Sequence, residues 1–398
     1  MSHTDKFSTI QTSYRQRSLM MHLALASGAL AQPSLLKQKK ITDAFWENGD
    51  GVSARMSMEK VVIGLREYQR HPYQRPPQRA SIVWRDGESR ILWYAAHSDF
   101  DQKPTQTLSV FMIPSMINGA EILDILPEDR SLVRWMTSQG FNVFVFEWGN
   151  LREDPELQTL DLALGKKLHK ALRWLKSETD SPLIGLGYCM GGLFLAAAEI
   201  LNPDIFHQLI FIATPWDFKA GAKGHFAEAL TGWAQDGLKK LDHLDYMPNE
   251  WLQMMFAGVD PAQVVRKFSA FADMKKGGID EKLFVAVEDW VNGGGDLPSG
   301  IIKPAVKDWY LENKVVKGEW HVSGQRIKAQ RITKPSLVIV PMYDKIVPPE
   351  SAEPLSAQIP DAYILEVDTG HISMMVGASA ERNMWEPMVD WIRAFSDL

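Results

Sequence analysis

The sequence predicts an α/β fold, a mostly parallel β-sheet flanked by helices and interrupted by one long insertion. Three observations carry this expectation. Short apolar runs of strand length recur from residue 80 onward, helix-period stretches lie between them, and the alternation breaks only between about residues 217 and 330. Alternating β and α segments imply parallel strands covered by helices, because each crossover returns the chain to the same end of the sheet.

The first element, IVWRDGESRILWY (82–94), reads as a hairpin turning at Asp86-Gly87. Strands then follow at TLSVFMI (107–113), FNVFVFEW (141–148), PLIGLG (182–187), QLIFIAT (208–214), SLVIVPM (336–342) and AYILEV (362–367). These runs are apolar at consecutive positions, as strands buried on both faces must be. Among the helices, LALGKKLHKALRWLKSE (162–178) places Leu164, Leu168, Leu172 and Leu175 on one face. Its basic residues Lys166, Lys167, Lys170, Arg173 and Lys176 form an opposite face that is expected to be solvated.

An insertion as long as 217–330 within such a sheet is expected to be a cap or lid. The expected organisation is a mainly helical region over 1–78, the first part of the core over 79–216, the cap over 217–330 and the second part of the core over 331–398. Residues 18–32, SLMMHLALASGALAQ, imitate a signal peptide after Arg15 and Arg17. His22 inside the run and a long polar lead favour an amphipathic surface helix instead.

Composition narrows the function classes. The chain has 398 residues, 45% hydrophobic and 23% charged, with a net charge of −6, so nothing draws it in bulk to nucleic acid. Its longest apolar stretch, 183–200, is broken by four glycines, so no membrane-spanning helix is expected. A single cysteine allows no intrachain disulfide, consistent with a reducing cytoplasm. Ten scattered histidines and one thiol offer no metal-ligand cluster, and no cofactor motif is present.

That one cysteine is the most informative residue. In SPLIGLGYCMGG (181–192), Cys189 lies between Gly187 and Gly191, after a strand and before a helix. A small buried hydrophobe is the usual fate of a free cysteine. With glycine near 7% of residues, chance places glycines at both −2 and +2 in only about 0.5% of cases. Gly-x-Cys-x-Gly at a strand-to-helix turn is the thiol version of the nucleophile elbow of the α/β-hydrolase fold. The helix N-terminus beneath it favours a thiolate, and the N–H of Met190 is placed to stabilise an oxyanion.

An elbow nucleophile requires an acid and then a histidine, each after a later strand. Asp344 in VIVPMYDKIVPP and His371 in YILEVDTGHIS occupy those places, with Asp368 a rival for the acid. His371 is the expected proton shuttle and Asp344 the group that orients it. His97, His225 and His321 follow no such strand end and are read as structural. The second oxyanion donor is expected in the loop PSMIN after the 107–113 strand, from the N–H of Ser115 or Met116, since Pro114 has none.

A thiol nucleophile also carries chemical information. Attack on a thioester exchanges one thioester for another and keeps the acyl group activated for transfer, which makes acyl-CoA a reasonable donor. The chain further resembles the polyhydroxyalkanoate synthases over about residues 80–390. The resemblance rests on IPSMINGAEILDILPEDRSLVRWMTSQGFNVFVFEWG, GYCMGG, DWYLENKVVKGEWHVSGQRI, YDKIVPPES and TGHI. It implies Cys189 as the acylated nucleophile, His371 as base, Asp344 as its acid, and 3-hydroxyacyl-CoA as substrate. It also implies a polyester granule surface as a partner and a homodimer formed through the cap. Two positions depart from the family pattern. WVNGGGDLP (290–298) keeps Trp290, Leu297 and Pro298 but lacks the central polar residues, and Glu147 replaces an aspartate before Trp148-Gly149. The alternative is a hydrolase with the same triad, a thioesterase or depolymerase.

Overall fold

The computed structural model describes residue 15 and residues 18–30, 50–77, 79–96, 108–221, 237–260 and 262–396. The chain divides into two compact units, one of Met1–Pro77 with Glu250–Gly294, the other of Gln78–Asn249 with Gly295–Leu398.

The first unit is helical. Residues 18–30 and the helices Asp50–Arg70, Gln263–Ala272 and Ile279–Asn292 share an apolar cluster that includes Ala26, Ala29, Val61, Leu65, Phe268 and Val285. The stretch that imitates a signal peptide is therefore an amphipathic helix over its described residues, with Ala26 and Ala29 in the cluster and Met20 exposed. The unit also buries polar groups. Arg15 donates to Asp289 at 2.7 and 2.5 Å and to the carbonyls of His71 and Tyr73, while the Tyr68 hydroxyl donates to the same carboxylate at 3.0 Å. Each buried charge is thus paired, the condition under which its desolvation is offset. His22 packs on the Phe268 ring, and burial together with the Lys267 charge pushes its pKa down to about 3.

The second unit contains an eight-stranded sheet. Its strands are β1 (Ser81–Asp86), β2 (Ser89–Tyr94), β3 (Ser109–Ile113), β4 (Asn142–Glu147), β5 (Leu183–Tyr188), β6 (Gln208–Ile212), β7 (Ser336–Pro341) and β8 (Tyr363–Val367). Their order is β1-β2-β4-β3-β5-β6-β7-β8. The β1–β2 hairpin turns at Gly87, and β2 pairs antiparallel with β4. Every pair from β4 to β8 is parallel. The carboxyl ends of β3, β5, β6, β7 and β8 therefore open onto one edge of the sheet, the place where such folds assemble their sites.

The expected strands are present, most a residue or two shorter than their apolar runs and the 182–187 run shifted by one to Leu183–Tyr188, and Thr107 lies outside the described residues. One expectation is corrected. The last strand is not buried on both faces, because β8 is the sheet's edge, with Tyr363 and Ile364 exposed. The region 217–330 is mainly helical among its described residues. It also contains two short antiparallel pairings, Tyr246–Met247 with Leu297–Pro298 and His321–Val322 with Gln325–Arg326.

The basic face of the 162–178 helix is only partly a solvated one. Lys167, at 1% exposure, is buried and reaches Asp154 at 2.9 Å, Asp86 at 3.3 Å and Glu156 at 3.4 Å. The ammonium sits in a wide π-type turn, Ala163–Leu168, and ties the β1–β2 turn to the 154–156 loop. Sequence spacing assigned it to the outside because the three carboxylates that neutralise it come from distant segments.

The helix α1 (Met190–Leu201), which begins at the cysteine, is buried along most of its length, and its penultimate turn contains Glu199 at 2% exposure. One carboxylate oxygen of Glu199 has no hydrogen-bond partner among the described residues. Burial raises its pKa to about 8, with Asp204 raising it further and Lys334 opposing. The folded state therefore holds a proton that the unfolded chain releases above its ordinary value of 4.5. Stability attributable to this group falls as pH rises from 4.5 toward 8 and then levels off. At pH 7 the cost is about 3 kcal/mol. Glu199→Gln should accordingly be more stable than the parent by a margin that grows from pH 5 to pH 8, read from urea unfolding at both. An equal margin at the two pH values would contradict the account.

Candidate active site

β5 leads into the cysteine elbow. Its last residue, Tyr188, is followed by Cys189 at φ 55° and ψ −124°, and α1 starts at the next residue. A non-glycine residue in that region is strained and must be held by its surroundings. Two hydrogen bonds hold it. The Cys189 N–H donates to the Ile212 carbonyl at 2.8 Å, and the Gly192 N–H donates to the Cys189 carbonyl at 2.9 Å. The flanking glycines allow the turn through close approach. A Cβ on Gly187 would lie 2.6 Å from both the Gly191 carbonyl oxygen and the Gly192 Cα, and one on Gly191 would collide with the carbonyl of Ile113. The sulfur-bearing residue is itself only partly buried.

Asp344 follows β7 and is buried. Its Oδ1 accepts from the N–H groups of Ile346 and Val347 at 2.7 and 2.9 Å, and its Oδ2 meets Nδ1 of His371 at 2.5 Å. His371, in the loop after β8, is 8% exposed. Its carbonyl accepts the Tyr188 hydroxyl at 3.2 Å, and the two rings lie 5.1 Å apart. With Nδ1 engaged by Asp344, Nε2 remains to meet the thiol, and Cys189 lies near enough for its charge to favour the protonated ring. Burial opposes a charged ring here. The charges of Asp344 and Cys189 and the hydrogen bond to Asp344 outweigh it, holding His371 well above its ordinary value.

The structure thus brings Cys189, His371 and Asp344 into one relay. Asp368 lies at the surface, two residues before the glycine that precedes His371. His321 is exposed, with Nδ1 2.8 Å from the Glu319 carbonyl, while His97 and His225 lie outside the described residues.

The expected oxyanion donors are also close together. Met190 opens α1, so its N–H is one of the first-turn donors without an intrahelical partner. Ser115 and Met116 follow β3, and the Ser115 hydroxyl donates to the Met190 sulfur at 3.8 Å while accepting the Ile117 N–H at 3.1 Å. Among the described residues, neither the Ser115 nor the Met116 N–H has a hydrogen-bond partner.

Two neighbours of the thiol carry no signal in the sequence. Tyr188 is fully buried beneath the relay, and burial and the charges of Cys189 and Asp344 raise its pKa well above normal. Tyr310, on the turn Ala305–Leu311, has an exposed ring, yet its hydroxyl is pushed up to about 12 by the enclosure of that end and by the Cys189 charge. A buried asparagine, Asn313, secures the following segment: its amide donates to Asp217 at 2.8 Å and its carbonyl accepts the Phe218 N–H at 3.0 Å. Of the departures seen in the sequence, Glu147 pairs with Arg90, its partner across the β2–β4 ladder. Asp296 accepts the Asn249 N–H at 3.0 Å and Arg152 at 2.7 Å, beside the short Leu297–Pro298 strand. Among the described residues, no group of three or more His, Cys, Asp or Glu side chains is arranged to hold a metal ion.

A strained cysteine at a strand-to-helix elbow, with a histidine and an aspartate from later strand ends, defines the α/β-hydrolase class. The model of the alpha/beta hydrolase fold matches residues 131–378, more than half of the sequence, and the chain belongs to that family. It is similar to the poly(3-hydroxyalkanoate) polymerase subunit PhaC of Haloferax mediterranei, 27% identical over 326 residues, 79% of this chain and 64% of that one. The subunits of the same name from Allochromatium vinosum and Synechocystis are 24% and 26% identical, over 77% and 72% of this chain and 86% and 77% of theirs. The match therefore spans less than two thirds of the Haloferax relative.

Replacing Asp344 by Asn removes the largest charge that favours the His371 imidazolium. The His371 pKa should fall, read from its ring resonances by NMR. Turnover should drop by about 10³- to 10⁴-fold, the scale typical of losing the oriented tautomer.

Proposed function

We propose that the chain is an acyltransferase of the poly(3-hydroxyalkanoate) polymerase kind. It moves a 3-hydroxyacyl group from a CoA thioester onto Cys189 and then onto a hydroxyl acceptor, the end of a growing polyester. The observation that carries this reading is the hydrogen-bonded Asp344–His371 pair beside the strained Cys189, on one edge of a parallel sheet. Similarity to polymerase subunits supplies the substrate class.

In the first half-reaction His371 accepts the thiol proton and the sulfur attacks the thioester carbonyl. The N–H of Met190 and one N–H of the 115–116 pair stabilise the oxyanion. Collapse expels CoA, which takes a proton from His371, and leaves the acyl group on Cys189. In the second half-reaction His371 removes the acceptor's hydroxyl proton, the oxygen attacks the Cys189 thioester, an ester forms and the thiol regains its proton. The first step exchanges like bonds, so the activation carried by CoA persists until the oxygen ester forms. Acyl-CoA is a substrate, and this chemistry calls for no cofactor or metal. The same reading places the protein in the cytoplasm at a polyester granule surface, as a homodimer formed through the 217–330 region. Among the described residues, no helix is long and apolar enough to cross a membrane.

Incubation with 3-hydroxybutyryl-CoA tests the proposal. CoA release with chain growth is expected, whereas stoichiometric free 3-hydroxybutyrate would instead establish a hydrolase. Cys189→Ala should abolish both turnover and the mass increment of an acylated protein while leaving circular dichroism unchanged. His371→Ala should cost several orders of magnitude in rate. Wild-type turnover in either variant would remove that residue from the mechanism.

A further inference from the structure

The loop after β3 is held from below by a residue that takes no part in the relay. The indole N–H of Trp148, the residue after β4, donates to the Pro114 carbonyl at 3.1 Å in a buried hydrogen bond. That carbonyl belongs to the same peptide group as the Ser115 N–H. A peptide unit is planar and trans, so its C=O and N–H point in opposite directions. Fixing the oxygen toward Trp148 therefore fixes the Ser115 N–H away from it. Among the described residues, no donor holds the Ser115 carbonyl of the next peptide, which carries the Met116 N–H.

The indole is in turn immobilised. It is 5% exposed and packs edge-on against Phe146 and Phe194, at 4.7 and 5.4 Å between ring centroids. Phe194 lies on α1, the helix that begins beneath Cys189. The Trp148 carbonyl accepts the Ser89 hydroxyl at 2.9 Å, and Gly149, at φ 79°, turns the chain away where a Cβ would strike the Glu88 backbone. The loop also abuts the elbow directly, since Gly191 packs against Ile113 and Pro114 and the Ser115 hydroxyl reaches the Met190 sulfur.

We infer that Trp148 is a positioning residue that, through the Pro114 carbonyl, aims the Ser115 N–H as the second oxyanion donor, selecting Ser115 over Met116. The inference rests on the acyl-transfer reading of the site. Its energetic basis is that an oxyanion donor contributes only when it is preorganised, before charge develops.

The test separates reactions that form an oxyanion from one that does not. Acylation of Cys189 forms one, whereas alkylation by iodoacetamide uses the same sulfur and the same imidazole without it. Trp148→Phe removes the indole donor, and 3-benzothienylalanine at position 148 removes only the N–H while keeping the ring's volume, which guards against a packing or folding defect. Single-turnover acylation by 3-hydroxybutyryl-CoA and by p-nitrophenyl butyrate is compared with the alkylation rate. Acylation slowed by about 10- to 100-fold in both variants, with KM and alkylation within about twofold of the parent, is the expected result; the upper end approaches direct removal of a donor. Unchanged acylation would overturn the inference, as would acylation and alkylation slowed alike, which would mark Trp148 as general support. If the parent accepts only the p-nitrophenyl ester, the acyl-CoA reading fails while the ester comparison still decides the role of Trp148.

Discussion

The site depends on one buried electrostatic pair. His371 is enclosed, and enclosure by itself would keep its ring neutral; Asp344, at 2.5 Å, reverses that preference. Two backbone N–H groups, from Ile346 and Val347, bind the other oxygen of the buried carboxylate, which offsets its loss of water. The pair gives the imidazole a fixed orientation and a high proton affinity, and the thiol is the group presented to it. A cysteine in the same strained conformation without that pair would be a thiol at a helix terminus and little more.

The sheet makes the pair possible. Six strand ends open on one edge because the strands are parallel, so residues 114–116, 189, 344 and 371 converge although they are far apart in the chain. Convergence alone would leave loops free to drift. Here each is tied to its neighbours by hydrogen bonds: the Cys189 N–H to Ile212, the Tyr343 N–H to Thr369 and the Pro114 carbonyl to the Trp148 indole. The tolerance of a catalytic constellation is well under an ångström, and hydrogen bonds between adjacent loops are what supply it.

Local signals reached much of this. The hairpin, the parallel strands and the elbow were legible because glycine placement and apolar runs record backbone sterics and burial residue by residue. The approach of Asp344 and His371 to Cys189 was legible because a fixed strand order constrains where such residues can occur. Other features had no local trace. Lys167 read as a solvated lysine among four other basic residues, yet it is buried under Asp86, Asp154 and Glu156, which no periodicity connects. The exposure of β8 depends on which strand ends the sheet, and apolar content cannot report that.

The sequence by itself determined the order of strands and helices, the strained elbow at Cys189 and the places after later strands of Asp344 and His371, since each follows from short-range sterics and chain order. Tertiary structure decided the rest. It chose Asp344 over Asp368 by burying one and exposing the other. It paired the amino-terminal helices with residues 250–294 through a shared apolar cluster, and it brought Trp148 beneath Pro114. These outcomes depend on contacts between segments tens to hundreds of residues apart, where the free energy lies in complementary burial and pairing of two surfaces and neither segment alone encodes its partner.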